Sequence, residues 1–155
     1  MTPEFAAAGE TLPILYADDA LVVVNKPSGL LVHRSPIDRH ETRFAVQLLR
    51  NQLGRRVHPV HRLDKGTSGV ILVAKNDKAH RALAKQFAGR EVEKTYLAVA
   101  WGILQENEGA WDAAIGRDTK DRQKISVRTR YPRAALTRWQ VLRRRRQRRC
   151  RRWRP

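Results

Sequence analysis

The chain has 155 residues, enough for one domain with a real hydrophobic core and too few for two comfortable ones. Hydrophobic residues make up 41% of it, which argues against disorder throughout, and Lys plus Arg number 32 against 15 acids, a formal +17 that favours a polyanionic partner. Nine of those charges are arginines within residues 143–154; without them residues 1–142 still carry +8, a balance that suits phosphate contacts or an ordinary solvated surface.

The one cysteine, Cys150, excludes an intrachain disulfide and a thiolate metal site. Apolar runs at 21–24 and 70–74 are too short to span a membrane, and the start of the chain lacks the basic flank of a signal peptide. A soluble, cytoplasmic monomer that uses no membrane is the expectation.

Residues 1–11 are small and polar and are expected to be disordered. Strands are predicted at 14–16 and 21–25, separated by the acidic turn Ala17-Asp18-Asp19-Ala20. Lys26-Pro27-Ser28-Gly29 breaks the pattern, since proline fixes φ and glycine permits positive φ, and residues 30–33 read as another short strand. Phe44, Leu48, Leu49 and Leu53 then fall on one helical face, predicting a helix over 40–53 that ends at Gly54. An extended approach at 57–63 leads into the turn 64–69, and the β-branched run 70–74 reads as a buried strand. Asn76 or Asp77 can cap a helix carrying Ala79, Leu83 and Phe87 and stopping at Gly89.

Residues 92–101 return to alternation, with Leu97, Val99 and Trp101 on one side and Lys94, Tyr96, Ala98 and Ala100 on the other. The second side either opens onto a cleft or faces solvent. Trp101, Trp111 and Trp139 read as core or sheet-face residues. The stretch 102–118 reads as loop with a strand at 111–115, and Ile125 and Val127 alternate within the basic stretch 120–130. Strands and helices intermix without a strict βαβ repeat, so the predicted class is α+β, with a mixed, mainly antiparallel sheet and flanking helices. Residues 143–155 have nothing to bury and are expected to form a disordered tail, either an RNA-binding arm or a frame-shifted or truncated end.

Chemistry concentrates at His61-Arg62-Leu63-Asp64-Lys65-Gly66-Thr67-Ser68-Gly69. An apolar approach through Val57, Val60 and Leu63 ends in a turn rich in glycine and hydroxyls. Such a turn can present Asp64 at a strand end, with backbone N–H groups holding the carboxylate. As a bare pattern, Asp before such a turn is either an ordinary turn residue or a catalytic carboxylate. A metal site at His58, His61 and Asp64 is disfavoured, because Pro59 and the β-rich surroundings make the segment extended and scatter the side chains. A serine nucleophile elbow lacks its second glycine, and neither Asp38 nor Asp77 is selected by spacing as a glycosidase partner for Asp64.

This segment resembles the catalytic motif of the RluA-type pseudouridine synthases, which reads His-Arg-Leu-Asp followed by Thr-Ser-Gly. Upstream, residues 21–33 resemble the family's first block, and downstream Glu93-Lys94-Thr95-Tyr96-Leu97-Ala98-Val99 resembles the block with its active-site tyrosine. The resemblance covers about residues 14–142. Val32-His33-Arg34-Ser35 with Asp38-Arg39 is most similar to the tRNA-modifying synthase C group.

The resemblance implies a pseudouridine synthase-like catalytic domain whose N-terminal part occupies 12–142. It would act on uridine in structured RNA, tRNA first and rRNA next, with no cofactor and no metal. Asp64 would be the catalytic carboxylate. Tyr96 would lie near the uracil, and Arg62 would pair with phosphate or fill the space left by a flipped uridine. His61, Lys26, Arg34 and Lys94 would stand at the RNA. Only about a dozen residues precede the first block, so no S4-type RNA-binding domain is expected. No block like Gly-Arg-Thr-His-Gln-Ile-Arg follows Leu142, so the C-terminal part of the catalytic domain is expected to be incomplete. A catalytically inactive RNA-binding fragment is the alternative.

Overall fold

The computed structural model of the chain describes residues 10–34, 40–121 and 124–145. The disorder expected at 1–9 and 146–155, and Ser35, Asp38 and Arg39 of the family-like block, lie outside the described residues. The fold divides after Thr95 into two compact units.

The first unit is built on a four-stranded antiparallel sheet in the order β1-β2-β4-β3, where β1 is Ile14–Ala17, β2 Leu21–Lys26, β3 His58–Pro59 and β4 Gly69–Ala74. The β2–β4 ladder sets Val22 opposite Val73 and Val24 opposite Ile71. Because side chains alternate across a strand, these four share one face, and all are buried. Full burial of such a side chain contributes about 1.5–3 kcal/mol, so this quartet outweighs any single hydrogen bond in the sheet. Lys26, two residues beyond Val24, faces the same core.

Helix α1, Ala45–Leu53, closes that face with Ala45 and Leu49, and Leu12, Leu30, Val32, Val57 and Leu63 complete the cluster. It begins five residues later than the periodicity predicts. No side chain caps it; the N–H groups of Ala45 and Val46 donate instead to the carbonyls of Leu31 and Val32, at 2.8 and 3.0 Å. Residues 30–33, read as a strand from sequence, are therefore a backbone cap for the helix, and only a single bridge, Leu31 to Phe44, remains of pairing there. Gly54 ends α1 in the left-handed region (φ 63°), as its position predicts. Helix α2, Asp77–Ala88, starts on Asn76, whose side chain accepts the Ala79 N–H at 2.8 Å, and packs against β3 and β4.

The predicted strand at 92–101 is absent: residues 93–100 carry no regular element. An alternating pattern needs a neighbouring ladder to become a strand, and none runs beside this segment among the described residues. Leu97 is accordingly 86% exposed and Trp101 90%, so Trp101 is not a core residue.

In the second unit, β5 (Glu108–Asp112) pairs with β8 (Leu136–Gln140), and β6 (Gly116–Arg117) with β7 (Ile125–Ser126), both antiparallel. Trp139 packs on Trp111 with ring centroids 5.4 Å apart and lies across Gly109. Buried Asp118 organises the β6–β7 hairpin: its Oδ1 accepts the N–H groups of Lys120 and Asp121, and its Oδ2 accepts the Ser126 hydroxyl at 2.6 Å. The Ser126 hydroxyl, then those two N–H groups, hold the Asp118 carboxyl well below the usual carboxylate range. Arg144, assigned by composition to the tail, instead donates its guanidinium to the carbonyls of Leu104, Gln105 and Glu106 and to the Asn107 side chain. The carbonyl-rich loop beside β5 supplies the acceptors that composition alone does not reveal.

Two substitutions test this packing by urea unfolding. Gly109→Ala would bring a Cβ to 2.7 Å from Trp139 Cζ2, and the forced shift should cost about 1–3 kcal/mol in the second unit. Asn76→Ala should cost the first unit about 1 kcal/mol through the lost cap.

Candidate active site

The sheet itself decides where Asp64 stands. Strand β3 pairs with β4 only at His58 opposite Ala74 and Pro59 opposite Val73, so the N–H of Leu72 would face an empty position on that edge. The imidazole of His61 fills it: Nε2 accepts the Leu72 N–H at 3.0 Å while the ring stacks on Phe87 of α2, centroids 4.8 Å apart. With that orphan satisfied by a side chain, the main chain from Val60 onward is free to leave the sheet. It buries Leu63 and turns at Asp64 to Gly66, with the Thr67 N–H closing on the Asp64 carbonyl at 3.1 Å.

The turn is also held by the residues at the end of β2. Lys26 is fully buried, and its ammonium donates to the carbonyls of Leu30 (2.6 Å), Pro27 (2.8 Å) and Lys65 (3.3 Å). The Gly29 N–H donates to the same Lys65 carbonyl at 2.8 Å, and the Ser28 hydroxyl donates to the Gly66 carbonyl at 2.7 Å. Gly29 adopts φ 85°, a conformation glycine takes without strain. The Lys65 side chain pairs with Glu41. The Lys26-Pro27-Ser28-Gly29 turn is thus stitched to the Asp64 turn by three bonds that accept at the Lys65 and Gly66 carbonyls. Burial pulls the Lys26 pKa below the ordinary lysine value, and the charge of Asp64 acts on it in the opposite direction.

Of the residues singled out from sequence, Asp64, Lys26 and His61 are thereby gathered in one arrangement. Two of them take roles other than the expected one. Lys26 is not available to RNA phosphate, because no part of it reaches solvent and carbonyls take its protons. His61 spends its Nε2 on the sheet and its ring on Phe87, which makes it a support for the turn. Burial, and then the charge of Lys94, lower its pKa below the usual histidine value. The expected N–H cradle is also different: the turn is anchored through its carbonyls, and the exposed Asp64 carboxylate receives no hydrogen bond among the described residues.

Arg62 and Lys94 are exposed and form no ion pair among the described residues. Arg34 is exposed, with its guanidinium 5.6 Å from the centre of the Phe44 ring. Tyr96 opens the second unit and is 60% exposed. Sequence reasoning missed the anchoring parts of Ser28 and Gly29, although their block had been singled out for its turn chemistry. His58 lies against Asp77 (3.5 Å) and His80, and no cluster of three or more potential metal-ligating side chains occurs among the described residues. No helix among them is long and apolar enough to cross a membrane.

An antiparallel sheet that releases a His-Arg-Leu-Asp segment into an anchored turn defines a recognisable class. Residues 20–154 match the family model described as RNA pseudouridylate synthase, and the chain belongs to that family. It is 53% identical over 94 residues to the tRNA pseudouridine synthase C of Pasteurella multocida, covering 61% of this chain and 39% of that protein. With the tRNA pseudouridine synthase C of Haemophilus influenzae it shares 46% identity over 132 residues, 84% of this chain and 55% of the relative. The chain therefore spans about half the length of these relatives. Among solved structures, human RNA Pseudouridylate Synthase Domain Containing 1 superposes with a TM-score of 0.67 at 30% identity, covering 83% of this chain and 51% of that one.

Two measurements probe the anchoring. Lys26→Met leaves buried carbonyls without a donor and should cost the first unit about 2 kcal/mol or more in urea unfolding. The depressed His61 pKa gives stability a pH dependence: below about 6.5 the unfolded chain takes up a proton that the folded chain refuses, so acid favours unfolding. Stability should be full above that pH and fall as pH drops towards the folded pKa, and His61→Gln should flatten the curve.

Proposed function

We propose that this chain carries the catalytic carboxylate of a pseudouridine synthase, which isomerises a specific uridine in structured RNA, with tRNA the favoured substrate and rRNA next. The observation that carries the reading is the anchored turn presenting Asp64, exposed and with its carboxylate free of hydrogen bonds among the described residues, at the end of the His61-Arg62-Leu63 segment.

The reaction detaches uracil from C1′ of the ribose, turns it, and rejoins it through C5. No oxidant or co-reactant is consumed, so no cofactor is required. A carboxylate standing at the reacting sugar serves either as nucleophile, at C1′ or at C6 of the base, or as the charge that stabilises a developing cation. Lys26 is the positive charge built in behind that carboxylate. The target atoms are shielded in a stacked helix, so the uridine must flip out. Exposed Arg62 suits the vacated space or a phosphate, and Lys94 a phosphate. The Tyr96 ring and hydroxyl suit stacking and removal of the C5 proton. The two units would belong to the N-terminal part of one catalytic domain, acting as a monomer in the cytoplasm.

A second reading is binding without turnover, which the formal charge of +17 would serve equally well. Release of tritium from C5-labelled uridine in tRNA separates the two. Turnover by the chain that Asp64→Asn abolishes supports the synthase, with Tyr96→Phe lowering the rate at least tenfold. RNA binding with equal, background release from wild type and Asp64→Asn supports the second.

A further inference from the structure

We infer that the groove beside the first turn of α1 is a second RNA contact, a site for one nucleotide away from the target uridine. The inference rests on the RNA-binding reading above. The groove is shallow and largely open, about 310 Å³, and is lined by His33, Arg34, Phe44, Val46, Gln47 and Arg50. That volume is at the small end of ligand sites and suits one nucleotide better than a larger ligand.

Its chemistry divides as a nucleotide's does. Half-buried Val46 provides apolar surface for a sugar or base, beside the buried Phe44 ring. Exposed Arg34 lies with its guanidinium carbon 5.6 Å from the centre of the Phe44 ring, a planar cation at the groove that suits stacking on a base. Val46 and Arg50 are four residues apart on α1 and Gln47 and Arg50 three apart, so the helix aims all three at the groove. Exposed Gln47 offers an amide to a base edge.

The charge balance selects an anion. Among the described residues no acidic side chain lines the groove, and the described acids of the flanking segments pair elsewhere, Glu10 with Arg43 and Glu41 with Lys65. Arg34 forms no ion pair among the described residues, and Arg50 reaches only the Asn51 side-chain oxygen, at 3.1–3.3 Å. Two guanidinium groups beside apolar surface, with no carboxylate paired to them among the described residues, match a phosphodiester with its attached nucleoside.

The test is fluorescence anisotropy of a labelled tRNA stem-loop titrated with the full chain between 50 and 200 mM KCl. Arg34→Gln combined with Arg50→Gln should make the slope of log affinity against log salt shallower by about 1–2, and weaken binding about tenfold at 100 mM. Lys78→Gln with Arg81→Gln, exposed on α2, removes the same charge elsewhere and should change both far less. Gln47→Trp fills the groove with both arginines kept and should also weaken binding. If the arginine pair titrates like the α2 pair, or the chain binds no RNA, the groove is not a nucleotide site. Tritium release judges the synthase independently. Release that persists while the groove variants bind normally overturns only the groove; groove-dependent binding without release overturns only the turnover reading.

Discussion

A lysine ammonium placed among hydrophobic side chains is costly unless something replaces its water. Lys26 continues the buried face of β2 after Val22 and Val24, so the alternation of the strand, not local sequence, sends it inward. At that depth only backbone carbonyls are available, and the chain brings three of them to it. Two come from the turn that follows β2; the third comes from a segment 39 residues away. Satisfying the ammonium and fixing the turn at Asp64 are therefore one event. The same geometry sets a buried positive charge behind the one carboxylate in the motif, where low effective dielectric makes it count for more than a surface lysine would.

The second constraint acts on the strand edge. A strand that ends early leaves an unpaired N–H, and the choice is to extend the ladder or to supply another acceptor. By using the His61 imidazole, the chain stops β3 at Pro59 and gains several residues that need not lie in the sheet. That freedom puts Asp64 in an exposed turn while Leu63, its immediate neighbour, stays in the core. The neutral form of His61 is the one that accepts, so the device works only where its depressed pKa keeps it unprotonated.

Elements whose signals are local were legible in the sequence. The β2 and β4 runs, the Asn76 cap and Gly54 each carry their cause within a few residues, and each stands where the pattern predicts. Elements whose cause is distant were not. Residues 30–33 look like a strand but cap a helix 14 residues on, because which donors lie opposite their carbonyls depends on tertiary packing. Residues 92–101 alternate as a strand should, yet alternation states only which faces would differ, not that a partner strand is present. In the site, the motif marked Asp64, while the true work of Lys26 stayed hidden. A lysine beside a Pro-Ser-Gly turn reads as a surface cation until the register of β2 shows which way it points.

The distribution of positive charge follows from the same logic. Cations that the fold has used are buried or paired: Lys26 among carbonyls, Lys65 with Glu41, Arg43 with Glu10, Arg144 over its loop. Arg34, Arg62 and Lys94 form no ion pair among the described residues and remain exposed within the first unit, Arg62 and Lys94 inside family-like motif blocks and Arg34 next to one. An exposed cation without an internal acid contributes little to folding, and its mutual repulsion with its neighbours slightly opposes it. In the proposed reading these three cations would face the RNA. In that reading an RNA laid over the first unit would meet exposed cations and reach the Asp64 carboxylate that the anchored turn presents.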